Sequence, residues 1–169
     1  NFLDVHKDTA SISTRLMRWD FERVKKEKSV EDGFTKQIDA IGIRLLRNRR
    51  AVEWLAQYDW VEDSENLDVQ KIYNKSVVEV FGVSGAMAMY RKSVVDEVLL
   101  EGNNLFDPTY HSYKEDLDLS YRLRNAGYTS YVLLDTVCYH DRTAAAPKGL
   151  KDFSAILNKG RQSEYVRFH

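Results

Sequence analysis

Apolar and polar positions along the chain alternate between two periods, and the change of period marks the elements. FLDVHKD (2–8) reads as a short helix, and ISTRLMRW then predicts a strand from Ile12 to Trp19. ERVKKEKSVEDGFTK (22–36) has no sustained apolar period and carries Gly33, which predicts a solvated loop or a hairpin excursion. QIDAIGIRLLR sets Ile38, Ile41, Ile43 and Leu45 around Gly42, the pattern of a bulged or closely approached strand. Residues 48–74 are polar, with Trp54 and Trp60 as anchors to the body.

From Val77 the chain is apolar, glycine-punctuated and nearly uncharged as far as Arg91, a core segment. KSVVDEVLLEG has apolar residues at 94, 95, 98 and 99, a helical spacing with Gly102 as its stop. EDLDLSYRLRNAG predicts a strong helix, acidic in its first turn, basic later and ended by Gly127. YTSYVLL and VCYH follow as two short strands, and Pro147 precedes a last helix from Leu150. KSVV occurs at both 75 and 92, once in a strand pattern and once in a helical one, so the repeat carries no meaning. Strands and helices mixed in this order give an α/β fold. The 169 residues read as one domain with a core at 76–142 and a C-terminal helical segment at 148–169.

Composition narrows the partners. Twenty-five Lys plus Arg against 26 Asp plus Glu leave a formal charge of -1, which offers no global attraction for nucleic acid or an anionic membrane. RLLRNRR (44–50) is a local basic run without an aromatic platform, read as a solvated edge; no nucleic-acid partner is expected. No apolar run reaches the roughly 18 to 20 residues of a membrane-spanning helix. The single Cys138 reads as a buried small hydrophobe. The acids of YDWVEDSENLD lack the glycine and terminal glutamate of an EF-hand.

The candidate chemistry lies in YHSYKEDLDLSYRLRNAGY (110–128). Its D-x-D, Asp116 and Asp118, resembles a metal motif in spacing only. On a helix the two acids lie roughly 200 degrees apart and cannot chelate one ion together. Asp118 and Arg122 stand at i and i+4 with the acid first, a favourable supporting pair. Asp116 has no such partner, and a first-turn carboxylate faces outward from the end of a helix. Geometry therefore nominates Asp116 if one of these acids is catalytic.

FGVSGAMAMYRKSVVDEV (81–98), LFDPTYHSYKEDLDLSYRLRNAGY (105–128) and VCYHDR (137–142), in this order, resemble the C-terminal half of the family 2 inverting glycosyltransferases of GT-A fold. TRLMRWDF and IDAIGIRLLRNRR are similar to the preceding strands of bacterial, rhamnosyltransferase-like members, so the resemblance runs from about residue 10 onward. It implies a partial GT-A, Rossmann-like mixed sheet flanked by helices. It also implies a nucleotide-sugar donor, a glycan or lipid-linked acceptor, and a role in cell-surface polysaccharide synthesis. The expected location is cytoplasmic and peripheral at the inner face of the membrane.

By the same resemblance Asp116 is the general base that deprotonates the acceptor hydroxyl. Glu115 binds or orients the acceptor, or else has a capping or solvated role. Ser84, Gly85 and Ala86 form a small-residue turn at the cleft, or else pack a core strand. His140 completes a divalent-metal site, for manganese or magnesium, facing the diphosphate, or else is a hydrogen-bonded structural residue. Arg142 contacts phosphate or joins a surface ion pair, and Tyr113, with Tyr110 and His111, lines the acceptor cleft, or else at least one of these rings serves ordinary packing.

Two parts of the family pattern have no counterpart: the N-terminal nucleotide-binding βαβ segment and the strand-end D-x-D that supplies the main metal carboxylates. The expectation is a fragment whose FLDVHKD follows a missing metal motif, or else a natural half-protein that needs a partner or has lost activity; either is expected to be inactive by itself and to carry an exposed sheet edge. The competing expectation is a non-catalytic carbohydrate- or partner-binding module on a degenerate version of the fold.

Overall fold

The computed structural model describes residues 2–110 and 114–141. The expected C-terminal helix, Arg142, Tyr113 and His111 lie outside the described residues.

An eleven-residue strand, β1 (Thr9–Trp19), is the spine of the sheet. Its first five residues are all buried, as in a strand covered on both faces. Two of them are serines, and their hydroxyls are spoken for: Ser11 Oγ donates to Ser130 Oγ at 2.8 Å, and Ser13 Oγ donates to the Met87 carbonyl. Parallel to β1 runs β7 (Thr129–His140). Antiparallel to β1, on its other side, lie β2 (Phe34–Ala40), along its later half, and β6 (Ala88–Tyr90), opposite Ser11–Ser13. β5 (Val77–Val80) pairs antiparallel with β7, giving the order β2-β1-β7-β5. A separate hairpin joins β3 (Ile43–Leu45) to β4 (Ala51–Glu53).

Helices flank this mixed sheet. α1 (Phe2–Val5) precedes β1, α2 (Phe21–Glu27) follows it, and α3 (Leu67–Ile72) sits before β5. α4 (Lys92–Glu97) and α5 (Glu115–Asn125) pack through Val94, Val98, Leu119 and Leu123 against Ala10. A second and larger core gathers Met17, Ile38, Ile41, Leu55, Val69, Ile72, Val80, Val83, Val132 and Leu134, with Trp54 and Trp60 packed against it as their anchoring role requires. Each fully buried Leu or Ile contributes about 2 kcal/mol.

Several elements depart from the pattern reading. α2 occupies a stretch read as loop or hairpin. It buries no residue, and its ends are made by polar chemistry: the Asp20 carboxylate accepts the Arg23 N–H, and Lys28 closes the helix in the left-handed region. The two short strands expected after Gly127 are one strand, β7, with an irregularity inside it. α4 stops at Glu97, well before Gly102, which instead takes φ +77° in the following turn. Gly42 does break its strand, taking φ +68° between β2 and β3. Cys138 is only half-buried.

Candidate active site

The first turn of α5 converges on the turn between β5 and β6. The backbone N–H of Gly85 donates to Asp116 Oδ2 at 3.0 Å, and the Leu117 N–H donates to Asp116 Oδ1 at 2.8 Å. Asp118 faces elsewhere: its Oδ2 accepts from Arg122 Nε at 2.9 Å, both side chains being largely buried. The two acids of the D-x-D thus serve different partners, and Asp118 braces Arg122. The Arg122 fork goes further than an i,i+4 pair, donating also to the carbonyls of Val98 and Leu105. Arg124 does the same on the other flank, reaching the carbonyls of Phe81 and Val80 and the carboxylate of Glu79. Two arginines therefore fix α5 to its surroundings in a planar, multidentate way that lysines could not reproduce.

Close approach of α5 to the sheet depends on a glycine the sequence reading did not single out. A Cβ on Gly82 would stand 1.9 Å from Ser120 Oγ and 2.4 Å from Ser120 Cβ, so no side chain fits there. Gly42 continues the stack, since its own Cβ would meet the Gly82 carbonyl at 2.8 Å. Ser120 Oγ in turn donates to the Asp116 carbonyl at 2.6 Å, linking this contact to the first turn of α5. At Gly85 the situation is different: an added Cβ would make only ordinary contacts, 3.6 Å to Asp116 Cβ and 4.0 Å to Glu115 Oε1. The signal for Gly82 was available in VFGVSGA, where two glycines sit three apart.

Ser84 is buried, and its hydroxyl accepts the Ala86 N–H at the start of a short 3-10 turn, Gly85–Met87, while Gly85 and Ala86 themselves are exposed. Glu115 Oε2 is buried and has no hydrogen-bond partner among the described residues. Tyr90 lies beside both acids. Burial first, and then the negative charges of Asp116 and Glu115, push its hydroxyl well above the ordinary tyrosine range, so it stays a neutral neighbour.

At the C-terminal end of β7, His140 Nδ1 stands 2.9 Å from Oδ2 of Asp39, a buried carboxylate on β2. Asp39 was not among the residues expected at the site. Among the described residues no group of three or more His, Cys, Asp or Glu is placed to hold a metal ion. His140 could contribute a single ligand, with Nε2 the ring nitrogen that Asp39 does not engage. The basic run at 44–50 is exposed as expected, apart from half-buried Leu45, with Arg44 paired to Asp68 at 2.6 Å. No helix among the described residues is long and apolar enough to cross a membrane.

A curled mixed sheet flanked by helices, with carboxylates gathered at the start of one helix over a glycine turn, defines a mixed α/β protein consistent with part of a Rossmann-like GT-A domain. A family model described as glycosyl transferase family group 2 matches residues 34–155, well over half of the chain, and the chain belongs to that family. Membership supports glycosyltransferase function, with a nucleotide-sugar donor and an acceptor as the partners it suggests. No curated protein and no solved structure matches the chain.

Proposed function

We propose that this chain is the acceptor side of an inverting, metal-dependent glycosyltransferase in which Asp116 is the general base. The observation that carries this reading is the placement of the Asp116 carboxylate at the exposed Gly85 turn, held by the Gly85 N–H at 3.0 Å. Each carboxylate oxygen has a second lone pair, so both main-chain bonds leave room for an acceptor hydroxyl. Asp116 takes the acceptor proton as the acceptor oxygen bonds to the anomeric carbon. The bond from that carbon to the nucleotide diphosphate breaks in the same displacement, its electron pair leaves with the diphosphate, and the configuration inverts.

Glu115 orients the acceptor. Its buried, unpartnered Oε2 supports this role, because a buried carboxylate oxygen gains from a donor such as a sugar hydroxyl. Ser84 shapes the turn through its hydroxyl, while Gly85 and Ala86 offer a low rim for the ligand. Tyr113 and Arg142 complete the proposed acceptor and phosphate contacts. His140 would hold a divalent cation through Nε2, together with carboxylates from outside the described residues. Manganese accepts such a mixed nitrogen and oxygen set more readily than magnesium does. The bound cation would neutralise charge on the departing diphosphate. The acceptor is proposed to be a glycan or lipid-linked sugar of cell-surface polysaccharide, met on the cytoplasmic side of the membrane.

Replacing Asp116 by Asn in the full-length protein tests the reading. The expected result is loss of turnover by at least about a hundredfold, the scale of general-base catalysis, with donor binding largely retained. Retained turnover removes Asp116 from the role. A wild-type protein that binds glycans but transfers no sugar from any nucleotide donor favours the binding-module reading.

A further inference from the structure

We propose that Asp39 is the positioning residue of His140: its buried carboxylate holds the imidazole by Nδ1 and leaves Nε2 as the lone-pair nitrogen for a cation. The inference rests on the metal reading of His140 given above. It begins from two breaks in strand register on opposite sides of β1. On one side, Leu16 pairs with Ala40 and Met17 with Ile38, so Asp39 is the extra residue of a β-bulge in β2. On the other side, Thr14 pairs with Leu133 and Arg15 with Val137, so β7 carries three extra residues, Leu134–Thr136. Regular pairing then resumes through Cys138, Tyr139 and His140 opposite Leu16, Met17 and Arg18.

Bulges bend a strand and re-aim a side chain, and they collect beside functional sites. Here the two displaced segments bring Asp39 Oδ2 and His140 Nδ1 to 2.9 Å across the intervening strand, although 101 residues separate them in sequence. The burial of the pair is unequal. The Asp39 side chain is 2% exposed and that of His140 38%, so the carboxylate is an interior fixture and the ring remains open to solvent. A buried acceptor of this kind selects the tautomer with the proton on Nδ1, which makes Nε2 the free acceptor. Carboxylate, histidine and metal in series is a general device for orienting a ligating ring and raising its basicity. A bond serving only to tie the strands together would fix the same tautomer but leave cation affinity indifferent to Asp39.

Nitrogen-15 NMR of the His140 ring in the full-length, metal-free protein tests the wild type first. The proposal requires the proton on Nδ1; a neutral ring protonated on Nε2 overturns it without any variant. Mn2+ titration is then compared for wild type, Asp39→Asn and His140→Ala. The expected result is about a 10- to 100-fold weaker Mn2+ affinity in Asp39→Asn, with loss of the fixed tautomer, and a loss at least as large in His140→Ala. If His140→Ala weakens Mn2+ binding while Asp39→Asn binds as wild type, the positioning role is overturned and the metal reading stands. If neither substitution changes Mn2+ affinity, the metal reading falls and takes the proposal with it.

Discussion

The amide of Gly85 and the carboxylate of Asp116, 31 residues apart, meet at 3.0 Å on an exposed rim. The contact fixes one oxygen of the proposed base with a main-chain donor, leaving the side above Gly85 free of any Cβ. Gly85→Ala is therefore expected to fold normally, within about 0.5 kcal/mol of wild type, since an added methyl meets nothing closer than 3.6 Å. It is expected to raise KM for the acceptor more than it lowers kcat, because the methyl projects toward Asp116 and Glu115. Steady-state kinetics with acceptor varied at saturating donor would show it; unchanged acceptor KM would move the binding rim elsewhere.

Gly82→Ala should behave in the opposite way. Its methyl has no space against Ser120, and forcing it in costs about 1–3 kcal/mol of overpacking. Urea unfolding should show the lower midpoint, and Ser120→Gly on the same background should recover part of the loss. A Gly82→Ala protein as stable as wild type would mean that α5 can retreat from the sheet without penalty.

Arg122 joins α5 to the segment after α4 through the Asp118 carboxylate and two carbonyls. Arg122→Ala takes the guanidinium away from the largely buried Asp118 carboxylate and from two carbonyls, for an expected loss of about 3 kcal/mol. Arg122→Lys should restore little of it, because a single ammonium cannot serve three acceptors held in a fork arrangement. Thermal unfolding of the two variants provides the comparison.

Asp68 gives the fold an acid-sensitive point. Hydrogen bonds from Arg44 and then Lys71 hold its carboxyl below the usual aspartate range. A carboxylate depressed in the folded state adds stability above its unfolded value of about 3.9, and that stability is lost as pH falls through the folded value. Because the pair is partly exposed, the contribution is about 0.5 kcal/mol. Asp68→Asn is expected to be less stable than wild type at pH 7 and to converge with it as pH falls through the lowered folded value of Asp68. Parallel curves across that range would show that the ion pairs contribute nothing.

How far the sequence foretold the structure depended on how local each cause is. α5 was legible because its acidic first turn, its Asp118 and Arg122 spacing and Gly127 all lie within one short stretch. β1 was legible from its apolar and β-branched run. α2 escaped a reading by apolar period because it has no buried face, and only its Asp20 cap announces it. In β7, Asp135 and Thr136 interrupt the apolar run and suggest a gap between strands, whereas the chain makes an excursion there and rejoins the same ladder. Asp116 and Glu115 were nominated through their motif. Asp39 had no local mark, since its bulge is set by the register of β2 on β1 and its partner by that of β7 on the far side of β1.

The two halves of the proposed site also differ in when they can form. The Gly85 and Asp116 contact closes a loop of 31 residues, whereas Asp39 and His140 must wait for one of 101. Chain-closure entropy disfavours the longer loop by about 1 kcal/mol, and β1 with β7 is a pairing of high sequence separation, the slow kind. Pulse-labelled hydrogen exchange during refolding should protect the Gly85 amide before those of β1 and β7. The acceptor rim would then be assembled first, with the histidine end joining only as the spine of the sheet closes.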